Sequence, residues 1–370
     1  MRWRAGLLLF LLPLAACVTQ GEPVATHVDI LVIAQRGASS DLPEHTLEAY
    51  SLAIDQGADY IEPDLVMTRD GVFVSRHENE ISETTDVADR PEFADRRTTK
   101  TIGGLEITGW FTEDFTLAEL RTLRARERLP QLRPESAEHD GRYAVPTLAE
   151  IIALVQRQNR AVGLVPEIKH PGYFASIGLP MEEALATQLA DAGYDDDDDP
   201  AMIQSFEIAP LARLDILTNL RLVQLIRRSG APADAPGTSY AHMTTPAGLR
   251  AIATYADAIG PDKNWLIPRD ENDNLGEPTA VTANAQALGL RVIPYSFRPE
   301  NYFLPANMRN GEDPAANGLI EREIAEYLRI GIDGFFTDDS EEGVYARYIF
   351  ERPRIMRELA EERVREGESE

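Results

Sequence analysis

The segment "YIEPDL" sets Glu62 and Asp64 two residues apart on a predicted strand. Period-two geometry turns both carboxylates to one face, where they repel each other unless a cation or an arginine sits between them. Oxygen ligands of this kind suit Ca2+ or Mg2+ better than zinc. Taken alone, an E-x-D pair is more often a solvated edge. A second pair in "PEIKH", Glu167 and Lys169, adds a third carboxylate and a fixed positive charge, and by itself it reads as a strand-end salt bridge. His77 in "VFVSRHENE" and Arg36 in "IAQRGASS" supply a group that can move a proton and one that can grip an anion. A single histidine at such a place is more often structural. Convergence favours chemistry: Arg36, Glu62, Asp64, His77, Glu167 and Lys169 all fall at or just beyond the carboxyl ends of predicted strands one to four. In a (β/α)8 barrel that rim is where sites are built.

The elements that must carry these residues are well signalled. Short β-rich runs recur at 30–34, 60–66, 72–75, 162–168, 202–206, 222–226, 258–260, 291–295 and 334–337, separated by helical patterns. Strands alternating with helices imply parallel βαβ units, and this number of them implies an α/β fold closed into a barrel. Nine runs for eight places leave one accessory strand. Leu47, Tyr50 and Ile54 share one helical face and Gly57 ends the turn, while Thr116 with Glu119 and Thr147 with Glu150 are capping-box patterns. Residues 84–146 are too many for a strand-to-helix loop, so an inserted subdomain after the third strand is expected over the barrel mouth. The acidic run 195–200 lacks the glycine hinge and distal glutamate of a calcium loop and reads as a solvated loop. The barrel is expected to span residues 27–350, followed by a charged tail at 351–370 that forms a last, fraying helix.

The chain carries a net charge of −26, which becomes −28 if Arg2 and Arg4 are removed with a leader. Such a surface repels nucleic acid and anionic headgroups, so an anionic substrate needs a local cationic site. Residues 1–16 have the charge, apolar run and small residues of a signal peptide, and Leu14, Ala15, Ala16 and Cys17 resemble a bacterial lipobox. The expectation is a lipoprotein of the bacterial cell envelope, periplasmic or on the outer membrane, anchored to the membrane through lipid on Cys17 with a linker at 17–26. Cys17 is the only cysteine, so no intramolecular disulfide can form and stability must come from a packed core.

Beyond single motifs, the chain resembles the glycerophosphodiester phosphodiesterases of the bacterial periplasmic branch. The resemblance runs from "VIAQRGASSDLPEHTLEAY" through "QGADYIEPDLVMTRDGVFVSRHENEISETTDVADR", "VPEIKHPGYF", "QSFE", "ADAIGPDKNWLI" and "RVIPYSFRPEN" to "GIDGFFTDDS". It implies a TIM barrel with an insertion after the third strand. It further implies that Glu62, Asp64 and Glu167 hold a divalent metal, Ca2+ in the first place and Mg2+ as the alternative, and that Arg36 and Lys169 bind the phosphate of a small glycerophosphodiester. By the same resemblance His77 transfers a proton, and Glu44 orients Arg36 or the substrate glycerol. In related enzymes the glycerol 2-hydroxyl is thought to attack phosphorus, and water then opens the cyclic phosphate.

One position departs from the family pattern. Relatives carry His-Arg-Gly where this chain has Gln35-Arg36-Gly37. Glutamine donates and accepts hydrogen bonds but does not titrate near neutrality, and loss of one proton-transfer residue commonly costs ~10²–10⁴-fold in rate. His170 is the nearest candidate substitute, His45 reads as a helix-start residue, and His27, His139 and His242 as linker, insert and loop residues. Three readings follow: a phosphodiesterase impaired by Gln35, a phosphodiester-binding lipoprotein without turnover, or an active enzyme with Gln35 introduced to trap substrate. The otherwise complete set of metal, phosphate and proton-transfer residues favours the phosphodiesterase. From another class, an unrelated surface barrel contacting envelope or host proteins would gain no thermal stability from calcium.

Overall fold

The computed structural model describes residues 30–367, with side chains to 353. The expected signal peptide, lipidated Cys17, linker and His27 lie outside the described residues. Strands form where the sequence runs β-branched and apolar: β1 Leu31–Gln35, β2 Tyr60–Glu62, β3 Asp64–Met67, β4 Phe73–Ser75, β5 Thr98–Ile102, β6 Leu105–Gly109, β7 Gly163–Leu164, β8 Glu167–Ile168, β9 Met202–Ser205, β10 Arg221–Ile226, β11 Ala258–Pro261, β12 Arg291–Val292 and β13 Gly334–Thr337. One sheet runs β13-β1-β2-β7 and the other β12-β11-β10-β9-β8-β3-β4. They are two parts of one parallel ring, because β2 continues into β3 and β7 into β8 along the chain, while a parallel bridge from Phe297 to Thr337 closes the last gap. The ring is a (β/α)8 barrel. Ile33, Val165, Met202, Val223, Ile293 and Phe336 pack in its interior, and a larger cluster fills the layer between barrel and helices.

Prolines divide the two split strands at corresponding places. Pro63 and Pro166 have no N–H to donate, yet their carbonyls still accept from Glu167 N at 2.9 Å and Gln204 N at 3.0 Å. The ladder therefore continues past each kink and sets the register beyond it.

The accessory strand is β4, which pairs antiparallel with β3. This corrects the expected order. The insertion follows the third run in sequence but the second strand of the barrel, and His77 is delivered by a strand running back toward the mouth. Within the insertion, β5 and β6 make a hairpin, and Arg133 ties the subdomain to the barrel through Glu300 (2.5 Å), Asp338 (2.6 Å) and the Ser39 carbonyl (2.6 Å).

Both capping boxes form, at Leu117–Leu120 and Leu148–Gln156. The helix Leu47–Asp55 is capped by Thr46 and buries Ala49, Tyr50, Ala53 and Ile54. Gly37 lies against it with φ +86°, and a Cβ there would stand 2.6 Å from the Ala49 carbonyl carbon, so only glycine lets the turn after Arg36 pack this closely. His242 is not in a loop but in the short helix Tyr240–Met243. Residues 195–198 are exposed, as expected of a solvated acidic loop. The last helix begins at Ser340 and continues to Gly367, so the boundary expected at 350/351 falls inside one element.

At the start of that helix Asp339 accepts from Glu342 N at 3.0 Å, and burial, with Asp41, Glu342 and Glu341 nearby, pushes its carboxyl up to about 7. An acid with a raised folded pKa binds its proton more tightly in the folded state. Its contribution to stability is therefore lost as pH rises from about 4 through 7, with a slope of at most roughly 1.4 kcal/mol per pH unit. Asp339→Asn keeps a capping acceptor and should flatten this decline in urea melts at pH 5 and 7. An unchanged slope in the variant would show that the group titrates normally.

Candidate active site

Strand register brings the acidic residues together. Gln35 pairs with Glu62 across β1 and β2, Asp64 with Glu167 across β3 and β8, and Glu167 with Gln204 across β8 and β9. Ligand oxygens of Glu62, Asp64 and Glu167 consequently lie within 4.8 Å of one another, all three residues buried. Three such carboxylates cannot all ionise in the absence of a counter-charge. Burial, with Asp64 and Glu167 beside it, drives Glu62 well above the usual carboxylate range, and burial raises Glu167 to about 8. Asp64 stays low despite its burial because Lys169, His45 and Arg36 surround it. The all-oxygen donor set fits a hard divalent cation. Gln204 adds to the fit: its Nε2 donates to Glu62 at 3.0 Å while its buried amide oxygen has no partner.

The positive groups stand next to this cluster. Arg36 Nε is 3.3 Å from Asp64 and Nη1 is 2.9 Å from Glu44; its backbone, held at φ +64°, donates to the Glu62 side chain at 3.0 Å. A non-glycine residue with φ in this region is uncommon and concentrates at functional turns. Lys169 Nζ lies 3.0 Å from Glu167 and 3.7 Å from Asp64, and although burial opposes its charge, those two anions keep it firmly protonated. His77 is about a quarter exposed, with Nδ1 3.6 Å from Glu78. Burial, then Arg36 and Lys169, push its imidazole toward the neutral form, the state that can accept a proton. Gln35, Arg36, Glu62, His77, Glu167 and Lys169 all line one cavity of about 310 Å3.

The model of the glycerophosphoryl diester phosphodiesterase family matches residues 36–342. This chain belongs to that family. It is 35% identical over 319 residues to glycerophosphodiester phosphodiesterase GDPD6 of Arabidopsis thaliana, covering 83% of this chain and 82% of that one. In fold it is similar to a candidate glycerophosphoryl diester phosphodiesterase from Silicibacter pomeroyi, with TM-score 0.61, 22% identity and coverage of 88% and 94% of the two chains. It is also similar to a phosphodiesterase of Oleispira antarctica solved with the product sn-glycerol-3-phosphate, with TM-score 0.54, 19% identity and coverage of 85% and 96%.

Within this family member Glu44 meets Arg36, one of the two partners expected for it, while His45 and Arg76 take places that sequence reasoning did not assign. Glu44 does not line the cavity; it holds Arg36 from behind and is itself held by Arg128 Nε at 3.1 Å. His45 is more than a helix-start residue. It is fully buried, with Nε2 2.9 Å from Asp64 and Nδ1 2.7 Å from the Tyr50 hydroxyl and 2.9 Å from Ser75 Oγ. A histidine bonded to a ligand carboxylate on one side and anchored on the other fixes that carboxylate's orientation. Arg76 is also fully buried and donates to the carbonyls of Glu44, His45, Ser75 and Thr84, pinning the β1 turn to β4 and the insertion. The only advance signal for these residues was their place inside the quoted motifs.

Other histidines stand elsewhere. His170 pairs with Glu78 at 2.5 Å and lines an adjoining cavity instead of the one that holds His77, and His139 bonds Tyr143 at 2.9 Å in the insertion. Gln35 itself lines the cavity shared by Arg36 and His77, with its amide oxygen buried and unpartnered.

Proposed function

We propose that this chain hydrolyses small glycerophosphodiesters to glycerol 3-phosphate and an alcohol, with a divalent cation, calcium or magnesium, held by Glu62, Asp64 and Glu167. The observation that carries the reading is the meeting of three buried carboxylates with Arg36, Lys169 and His77 at one cavity, in a member of this family. The cation, when bound, neutralises the phosphodiester and the extra negative charge that develops on it. Arg36 offers a planar fork of donors to phosphate oxygens, and Glu44 keeps that fork in place. Lys169 adds a compact second charge. Neutral His77 accepts the proton of the glycerol 2-hydroxyl as it attacks phosphorus and the P–O bond to the alcohol breaks, and water then opens the resulting cyclic phosphate to glycerol 3-phosphate. Gln35 can hydrogen-bond the departing oxygen but cannot protonate it, so that proton comes from solvent and turnover is slow.

Glycerophosphocholine hydrolysis with calcium, followed by release of glycerol 3-phosphate, tests the reading. Turnover should vanish on chelation with EDTA. A hundredfold excess of calcium over its Kd should stabilise the fold by about 2.7 kcal/mol. Loss of neither turnover nor stability on chelation would remove the cation from the mechanism. On the strength of the leader and lipobox of residues 1–17 we also assign the chain to the cell envelope through lipid on Cys17, for which incorporation of labelled palmitate is the check.

A further inference from the structure

Two arginines at the cavity wall remain unaccounted for by the proposed reaction. Arg227 and Arg228 follow the carboxyl end of β10, both line the catalytic cavity and both are exposed. Among the described residues neither side chain takes part in an ion pair. The other basic groups of the cavity are matched: Arg36 and Arg128 by Glu44, Lys169 by Glu167, and Arg298 by Asp338 at 3.1 Å. The cavity's remaining carboxylates have partners too, Glu78 in His170 and Asp262 in Asn264. Two cations that no ion pair engages therefore stand at one opening of a chain whose net charge is −26, in a cavity that they share with Asp262, whose side-chain partner Asn264 is neutral.

In the proposed reaction the scissile phosphate is assigned to Arg36, Lys169 and the cation site, which leaves Arg227 and Arg228 for another part of the substrate. Arg227 is also oriented. Its guanidinium carbon lies 4.5 Å from the centroid of Phe206, a residue lining the same cavity, so the ring supports one face of the group while its N–H edge stays free. A guanidinium presented in this way matches the oxygens of a phosphate.

Resting on the proposed reaction, we infer that Arg227 and Arg228 select glycerophosphodiesters whose leaving alcohol carries a second phosphate group. The contacts are exposed, so the selectivity is moderate and sensitive to salt.

Three diesters separate the possibilities: glycerophosphocholine with a cationic alcohol, glycerophosphoglycerol with a neutral one, and bis(glycerophospho)glycerol with a phosphate-bearing one. With calcium at low salt, kcat/KM should be roughly tenfold higher for bis(glycerophospho)glycerol than for glycerophosphoglycerol. The ratio should fall toward one in R227A/R228A and at 0.5 M NaCl, and should be kept only in part in R227K/R228K, which retains the charge but neither the stacking nor the fork. Equal kcat/KM for the two substrates, a preference for the choline diester, or a ratio unmoved in R227A/R228A overturns the inference while leaving the reaction intact. Should none of the three be turned over, calorimetric binding to the calcium-loaded protein decides. Tighter binding of bis(glycerophospho)glycerol, lost in R227A/R228A, supports the selectivity and sinks the reaction; equal binding sinks the selectivity as well.

Discussion

Asp64→Asn should lower calcium-dependent hydrolysis on the order of a thousandfold and sharply weaken calcium binding. Asp64 is the hub of the site: it shares the ligand cluster with Glu62 and Glu167, accepts from His45 at 2.9 Å, and lies 3.3 Å from Arg36 and 3.7 Å from Lys169. Of the three acids it is the one whose surroundings favour ionisation in the cation-free protein. Asparagine conserves shape and removes that charge. A bound cation is worth several kcal/mol of transition-state stabilisation, and each 1.36 kcal/mol is a factor of ten in rate. The same change leaves Arg36 and Lys169 with less compensation in a buried place, so a loss of about 3–5 kcal/mol in stability accompanies it. Calorimetric calcium titration, kcat/KM and urea melts measure the three effects. A variant whose calcium affinity stays within about twofold of the parent would show that the cation does not sit on this cluster.

Gln35→His should act in the opposite direction, raising kcat by ~10²–10⁴-fold. Gln35 lies at the carboxyl end of β1, in register with Glu62 and beside Arg36, and lines the same cavity as His77. Its amide oxygen has no partner, so an imidazole that replaces it forfeits no hydrogen bond from that atom. With His77 neutral and suited to accept a proton, a second imidazole supplies the group that can donate one. Turnover only in the histidine variant would identify this chain as a phosphodiester binder, or as an enzyme into which Gln35 was introduced to trap substrate. Equal turnover in both would mean that departure of the alcohol already has another proton source.

These expectations depend on contacts of differing visibility in the sequence. Period two put Glu62 and Asp64 on one face before any fold was considered, and the structure has both facing the cluster. The pattern of alternating strands and helices implied the barrel, and with it a rim for Glu167 and Lys169. His45 was not legible, because nothing in "PEHT" shows that its imidazole reaches Asp64, 19 residues away, while also meeting Tyr50 and Ser75. The direction of β4 was equally hidden: a run of three apolar-rich residues looks the same whether it joins the barrel or folds back on its neighbour.

Sequence alone determined what local rules govern: the strand runs, the capping boxes, the glycine turn after Arg36, the paired carboxylates and a glutamine beside that arginine. Those depend on spacing within a few residues. Tertiary structure decided which distant groups meet. Register past Pro63 and Pro166 sets Asp64 against Glu167 and Glu167 against Gln204, closure of the ring carries Arg227 and Arg228 to the same cavity, and burial puts Glu44 behind Arg36 and out of the cavity wall. The physical reason is that ladder hydrogen bonds and close packing act between residues far apart in the chain, and a motif holds no record of its partner's position.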